Sequence, residues 1–117
     1  MISWDVPVVR WVRWLGIGEL ELGFIEPLLR RRLSPMARGA LHVANACAQD
    51  YPSASFVFAS RHGELTRTVE LLRSLAHEKE LSPTLFSLSV LNAAAGIFSI
   101  ARGDRAPATA IAAGVES

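Results

Sequence analysis

The sequence predicts an α/β fold, a mixed sheet with packed helices, on three observations. Two short apolar runs, Ser55–Ser60 and Ala108–Ala113, have the length and composition of strands. Two Ser-Pro pairs, Ser34-Pro35 and Ser82-Pro83, each place an N-cap before a proline in the first helical position, where its missing N–H costs nothing. Apolar residues recurring three and four apart fill the segments Met36–Gln49 and Glu64–Glu78, as amphipathic helices require.

The start of the chain is the hardest part to read. Ile2, Trp4, Val6 and Val8 alternate like a strand, which Pro7 would confine to a sheet edge. Trp4, Trp11 and Trp14 either cover a core edge or, with the nearby arginines, form a partner-facing or membrane-surface patch. Gly16-Ile17-Gly18 lacks the third glycine and the Gly-Lys-Ser/Thr of phosphate-cradling loops, so an ordinary loop is enough explanation. Arg30-Arg31-Arg32 splays three charges around a helix or loop.

In the helix Met36–Gln49, Met36, Ala40, Val43, Ala44 and Cys47 share one face. Gly39 weakens that helix by roughly 1 kcal/mol relative to alanine but permits close packing. Phe56-Val57-Phe58 is continuously apolar, as in a strand covered on both faces. Ser60, His62 and Glu64 stand too close in sequence for a catalytic triad. The expectation is instead that Gly63 makes a turn whose loop Arg61 and Glu64 hydrogen-bond. In the helix that follows, Leu65, Val69, Leu72, Leu75 and Ala76 form the apolar face, with Arg67, Glu70, Arg73 and Glu78 outside.

From Ser82 the pattern reads helix, turn, strand, tight turn. Asn92-Ala93-Ala94-Ala95-Gly96 is small enough to bury tightly, with Asn92 either a helix cap or a partner contact. Gly103 suits the left-handed position past a helix end, and Asp104 a turn.

Composition narrows the function classes. Half the 117 residues are apolar and a fifth are charged, so the chain is globular and at most one domain. A net charge of +1 gives no nucleic-acid footprint. Cys47 is the sole cysteine, which rules out an intramolecular disulfide and suits a reducing cytoplasm. A small buried thiol is the expected reading of it. His42, His62 and His77 show no metal-ligand spacing, so no metal or cofactor is implied. No apolar run reaches the ~18 to 20 residues of a membrane-spanning helix, and no signal peptide is evident. Cytoplasmic placement follows as an expectation.

Several blocks together carry a resemblance. They are Ser82-Pro83, the run Asn92–Gly96, Ser99-Ile100-Ala101-Arg102-Gly103, Ala106-Pro107-Ala108-Thr109, and upstream Phe56–Glu64. Over roughly residues 28–117, about three quarters of the chain, the sequence resembles the N-terminal domain of beta-ketoacyl synthases, most closely the chain-length-factor-like branch. The resemblance implies the N-terminal half of a thiolase-like fold. With only two credible strands in 1–117, that half-domain is expected to be incomplete, as a fragment or a short, degenerate homologue.

In an active member, the strand after the alanine-proline turn delivers a nucleophilic cysteine. Here the turn reads Ala112-Ala113-Gly114-Val115-Glu116, with Ala113 to Glu116 a degenerate nucleophile turn that offers no thiol. The resemblance thus implies a subunit with no catalytic residues of its own. It would pair with an active ketosynthase in fatty acid, polyketide or aryl polyene biosynthesis and limit chain length by walling off the acyl tunnel. It implies partner or tunnel contacts at Leu88, Leu91, Asn92, Thr109 and Ile111, with Leu91 standing where this branch often carries histidine. Pro27–Ser34 resembles the lead into the first long helix, which gives Arg30, Arg31 and Arg32 either a structural role or contact with an acidic acyl carrier protein. Two other readings stay open: a fragment of an active condensing enzyme, and a small interaction or membrane-surface module.

Overall fold

The computed structural model describes residues 2–112. Residues 2–24 have no regular secondary structure, and residues 2–11 are exposed. Helix α1 (Pro27–Arg32) follows, capped by Glu26, whose carboxylate accepts from the N–H groups of Leu28 and Leu29 at 3.1 Å. Helix α2 (Pro35–Ala48) begins as the Ser-Pro pair predicts, with Ser34 Oγ accepting from Ala37 N at 3.1 Å. Strand β1 (Phe56–Ser60) leads to helices α3 (Leu65–Ala76), α4 (Pro83–Ser87) and α5 (Ala93–Arg102), and then to strand β2 (Ala108–Ala112). The two strands pair in parallel, from Phe56 opposite Ala108 to Ser60 opposite Ala112.

Helix α5 is the centre of the core because its residues are small where others must approach. Ala93, Ala94 and Ala95 are buried, and Phe98 is completely enclosed. The Phe98 ring meets those of Phe56, Phe58 and Phe24 edge-on, at centroid distances of 4.6, 5.8 and 6.2 Å. Leu41 and Ile25 close the other side of this cluster, which ties α5 to α2, to the sheet and to the segment before α1. Helix α5 ends at Gly103, whose φ of 63° is the left-handed cap the sequence predicts.

The structure corrects four expectations. Residues Ile2 to Val8 form no strand, and their apolar side chains are exposed. β1 is covered on one face only, since Val57 on the other side is 66% exposed while Phe56 and Phe58 pack on Phe98. The helix predicted from Ser82 onward breaks into α4 and α5, and Asn92 precedes α5 without making a side-chain cap. Finally, α3 is turned over. Leu65, Leu72 and Leu75 are 50%, 60% and 59% exposed, whereas the Arg67 side chain is largely covered. One contact with a neighbouring element holds that orientation: Arg67 donates to the carbonyl of Arg32 at 2.6 Å, while Glu70 on the same helix accepts from it at 2.9 Å. In exchange the apolar stripe faces outward.

Candidate functional site

The carboxyl ends of β1 and β2 lie side by side, with Ser60 opposite Ala112. This is the end at which open α/β sheets place their ligands. The turn beyond β1 is closed by Ser60 Oγ, which accepts from Gly63 N at 3.0 Å, rather than by the side chains of Arg61 and Glu64. Gly63 has a φ of 55°, and a Cβ there would stand 3.3 Å from Leu91 Cδ1. A glycine therefore serves both the turn and the close seat of Leu91 against it. Glu64 is buried, and its Oε2 finds no hydrogen-bond partner among the described residues.

Not all the residues singled out in the sequence meet here. Leu91 and Asn92 are exposed beside this turn, while Leu88 belongs to the core. Thr109 and Ile111 lie in register with Val57 and Ala59, so the four share the uncovered face of the sheet. Ile111 is 45% exposed. Ala113, Gly114, Val115 and Glu116 lie outside the described residues.

The three arginines do different things. Arg30 donates to Ile25 O at 2.8 Å, and Arg32 to Thr84 Oγ1 at 3.2 Å, which pins α1 to α4. Arg31 is exposed, with its carbonyl accepting from Arg38 at 3.4 Å. Cys47, half-buried on α2, lines an apolar groove of about 460 Å³ between α2 and β1 together with Val12, Val43, Tyr51, Phe56 and Phe58. His42 Nδ1 accepts from Glu21 N at 2.9 Å, a structural role. Among the described residues no three His, Cys, Asp or Glu side chains gather to hold a metal.

Two residues that anchor the sheet were not legible as such. Asp104 is buried and accepts from Ala106 N at 2.9 Å, Ala54 N at 3.1 Å and Ser53 Oγ at 3.0 Å, joining the entries to both strands. The N–H of Ala106, then that of Ala54, holds its carboxyl below the ordinary value, with Ser53 and the charge of Arg102 adding to the effect against the cost of burial. Arg102 donates to Ala48 O at 3.2 Å and to Tyr51 O, and its guanidinium lies over the Phe98 and Phe56 rings at 5.1 and 5.4 Å. The sequence signal, Arg-Gly-Asp after a helix, marks only a turn.

The family model for the beta-ketoacyl synthase N-terminal domain matches residues 9–117. The chain belongs to the beta-ketoacyl synthase family. Its fold is the thiolase-like ketosynthase fold. The solved structure of the ketosynthase ApeO in complex with its chain length factor ApeC, from Xenorhabdus doucetiae, contains a chain that superposes with a TM-score of 0.72 at 31% identity. The match covers 80% of this chain and 39% of that one, so the present sequence spans about two fifths of its ketosynthase-like relative. No individual curated protein matches. No helix among the described residues is long and apolar enough to cross a membrane.

Proposed function

We propose that the chain is a non-catalytic beta-ketoacyl synthase subunit of the chain-length-factor type. It pairs with an active ketosynthase in the cytoplasm and bounds that partner's acyl tunnel. The observation that carries this reading is the chemistry of the sequence after β2: Ala113-Gly114-Val115-Glu116, where the resemblance expects the nucleophile, has no thiol, and the sole cysteine, Cys47, sits on α2. An apolar or methyl side chain cannot form the thioester through which condensation proceeds. The likeness to a chain of a ketosynthase–chain length factor complex supports the pairing, as does the uncovered face bearing Thr109 and Ile111.

The role is steric. Leu91, seated against Gly63, sets the depth available beside the sheet ends, and a bulkier side chain there shortens the space for a growing acyl chain. The product class is a fatty acid, a polyketide or, as fits the chain-length-factor-like branch best, an aryl polyene. An acyl carrier protein would meet Arg31, the arginine of the three least engaged within the chain.

The test is product length from the co-expressed pair. Leu91→Trp is expected to shift products toward shorter chains by one or more extension units while the ketosynthase still loads acyl groups. Unchanged product lengths, or an acyl adduct on this chain other than at Cys47, would overturn the assignment.

A further inference from the structure

Two arginines on different helices converge on one recess. Residues 18–23, Arg30 of α1 and Arg38 of α2 line an open, polar cavity of about 560 Å³. Its loop wall is fixed, because Leu22 and Ile25 are buried in the core and Ile25 N donates to Leu22 O at 3.1 Å. Both arginines are half-buried and held by backbone carbonyls. Arg30 Nη2 donates to Ile25 O at 2.8 Å, and Arg38 donates from Nε to Leu33 O at 3.2 Å and from Nη2 to Arg31 O at 3.4 Å. The contacts of Arg38 close the carboxyl end of α1, a structural role that fixes the guanidinium without cancelling its charge.

The charge left over is the observation that asks for a ligand. Neither arginine forms an ion pair among the described residues, where Arg10 pairs with Asp50 and Arg67 with Glu70. Arg30 Nε is buried without an acceptor, and no acceptor among the described residues takes the Nη1 of either side chain. Half-buried guanidiniums with donors to spare are ordinarily satisfied by an anion. We propose that this cavity binds the phosphate group of a small phosphate monoester. Such a group carries a charge of about −1.5 to −2 at pH 7, enough to match both arginines, whereas a carboxylate matches only one. Its oxygens also suit the planar guanidinium fork. Glu19 and Glu21 are exposed on the same cavity. They repel a polyanion, which limits the ligand to a single phosphate. The site does not rest on the functional reading above.

Titration of the full chain with glycerol 3-phosphate at constant ionic strength, followed by amide NMR, tests it. Saturable shifts are expected at Gly18, Leu20 and Gly23, and none at Gly103, which lies outside the cavity. Arg30→Gln and Arg38→Gln each weaken binding by about ten-fold or more, the worth of a hydrogen bond to a charged group. Arg31→Gln removes the same charge from outside the cavity and leaves the affinity unchanged. Glu21→Gln relieves repulsion at the cavity and tightens binding. Inorganic phosphate binding as well as the ester marks free phosphate as the ligand, and weaker binding marks an ester; both bear the proposal out. Because Arg38 also holds the end of α1, the shift map of the unaltered chain decides the matter if a variant fails to fold. Shifts that do not saturate, or that miss residues 18–23, overturn the proposal. So does an affinity that survives Arg30→Gln and Arg38→Gln together in a chain that melts like the parent.

Discussion

Asp104 joins the two strands before they pair, because one carboxylate accepts hydrogen bonds from the residues that lead into β1 and from the turn that leads into β2. Its lowered pKa gives the linkage a definite sign. A carboxyl whose folded pKa lies below its unfolded value stabilises the fold above the unfolded pKa, near 3.9, and loses that contribution as pH falls through the folded value. Asp104→Asn is therefore expected to lower the melting temperature by several degrees at neutral pH. The difference from the parent should shrink as the pH drops below about 4, which thermal unfolding at several pH values will show. A difference that stays constant into acid would mean that the charge is not what joins the strands. The residue's role escaped the sequence because nothing local distinguishes a turn aspartate exposed to water from one that reaches Ser53 and Ala54 some fifty positions upstream. Gly63 was easier. Its turn is a local matter, and only the close seat of Leu91 needed three dimensions.

At the scale of elements, what was legible depended on whether the signal was local. The caps of α2 and α4, the left-handed end of α5 and both strands follow from residues adjacent in the chain. The orientation of α3 does not, because the period of its apolar residues says which of them share a face and not whether that face finds a neighbour. Its end was legible, Ala76 lying two residues short of the Glu78 read from the sequence, and Glu78 itself takes the left-handed conformation, with φ of 54°, that glycine adopts most readily. The first segment is another case. Alternation in Ile2, Trp4, Val6 and Val8 has the strand period, yet these residues stay exposed, and the contacts come after them, with Arg10 paired to Asp50 and Trp14 lying on Gly39. A Cβ at position 39 would stand 3.0 Å from two Trp14 ring carbons. Gly39→Ala should gain about 1 kcal/mol in helix propensity and lose a similar amount to crowding, so global stability moves by less than ~1 kcal/mol. The strap should nevertheless lift, which is expected as a red shift in tryptophan emission and faster proteolysis within residues 2–15. Unchanged emission would show that Trp14 finds another seat without leaving α2.

For the whole molecule, the open surfaces carry the argument. The sheet among the described residues has two strands with one face covered, the groove beside α2 is apolar, and the matched ketosynthase-like chain is about twice as long. The family was legible because a match spread over several blocks survives local misreadings such as the first strand. The site was legible only in part: Leu91, Asn92, Thr109 and Ile111 are exposed, whereas Leu88 and two of the three arginines are engaged within the chain itself. Apolar spacing cannot tell a core leucine from a partner-facing one, because both obey the same period. The measurement that bears most directly on the functional reading is native mass spectrometry of this chain co-expressed with the ketosynthase encoded beside it. The account expects a complex with equal numbers of the two subunits, lost when Ile111→Arg places a charge on the uncovered sheet face, with acyl groups carried by the ketosynthase alone. Two subunits that never associate, or an acyl group carried on this chain in place of the ketosynthase, would contradict it.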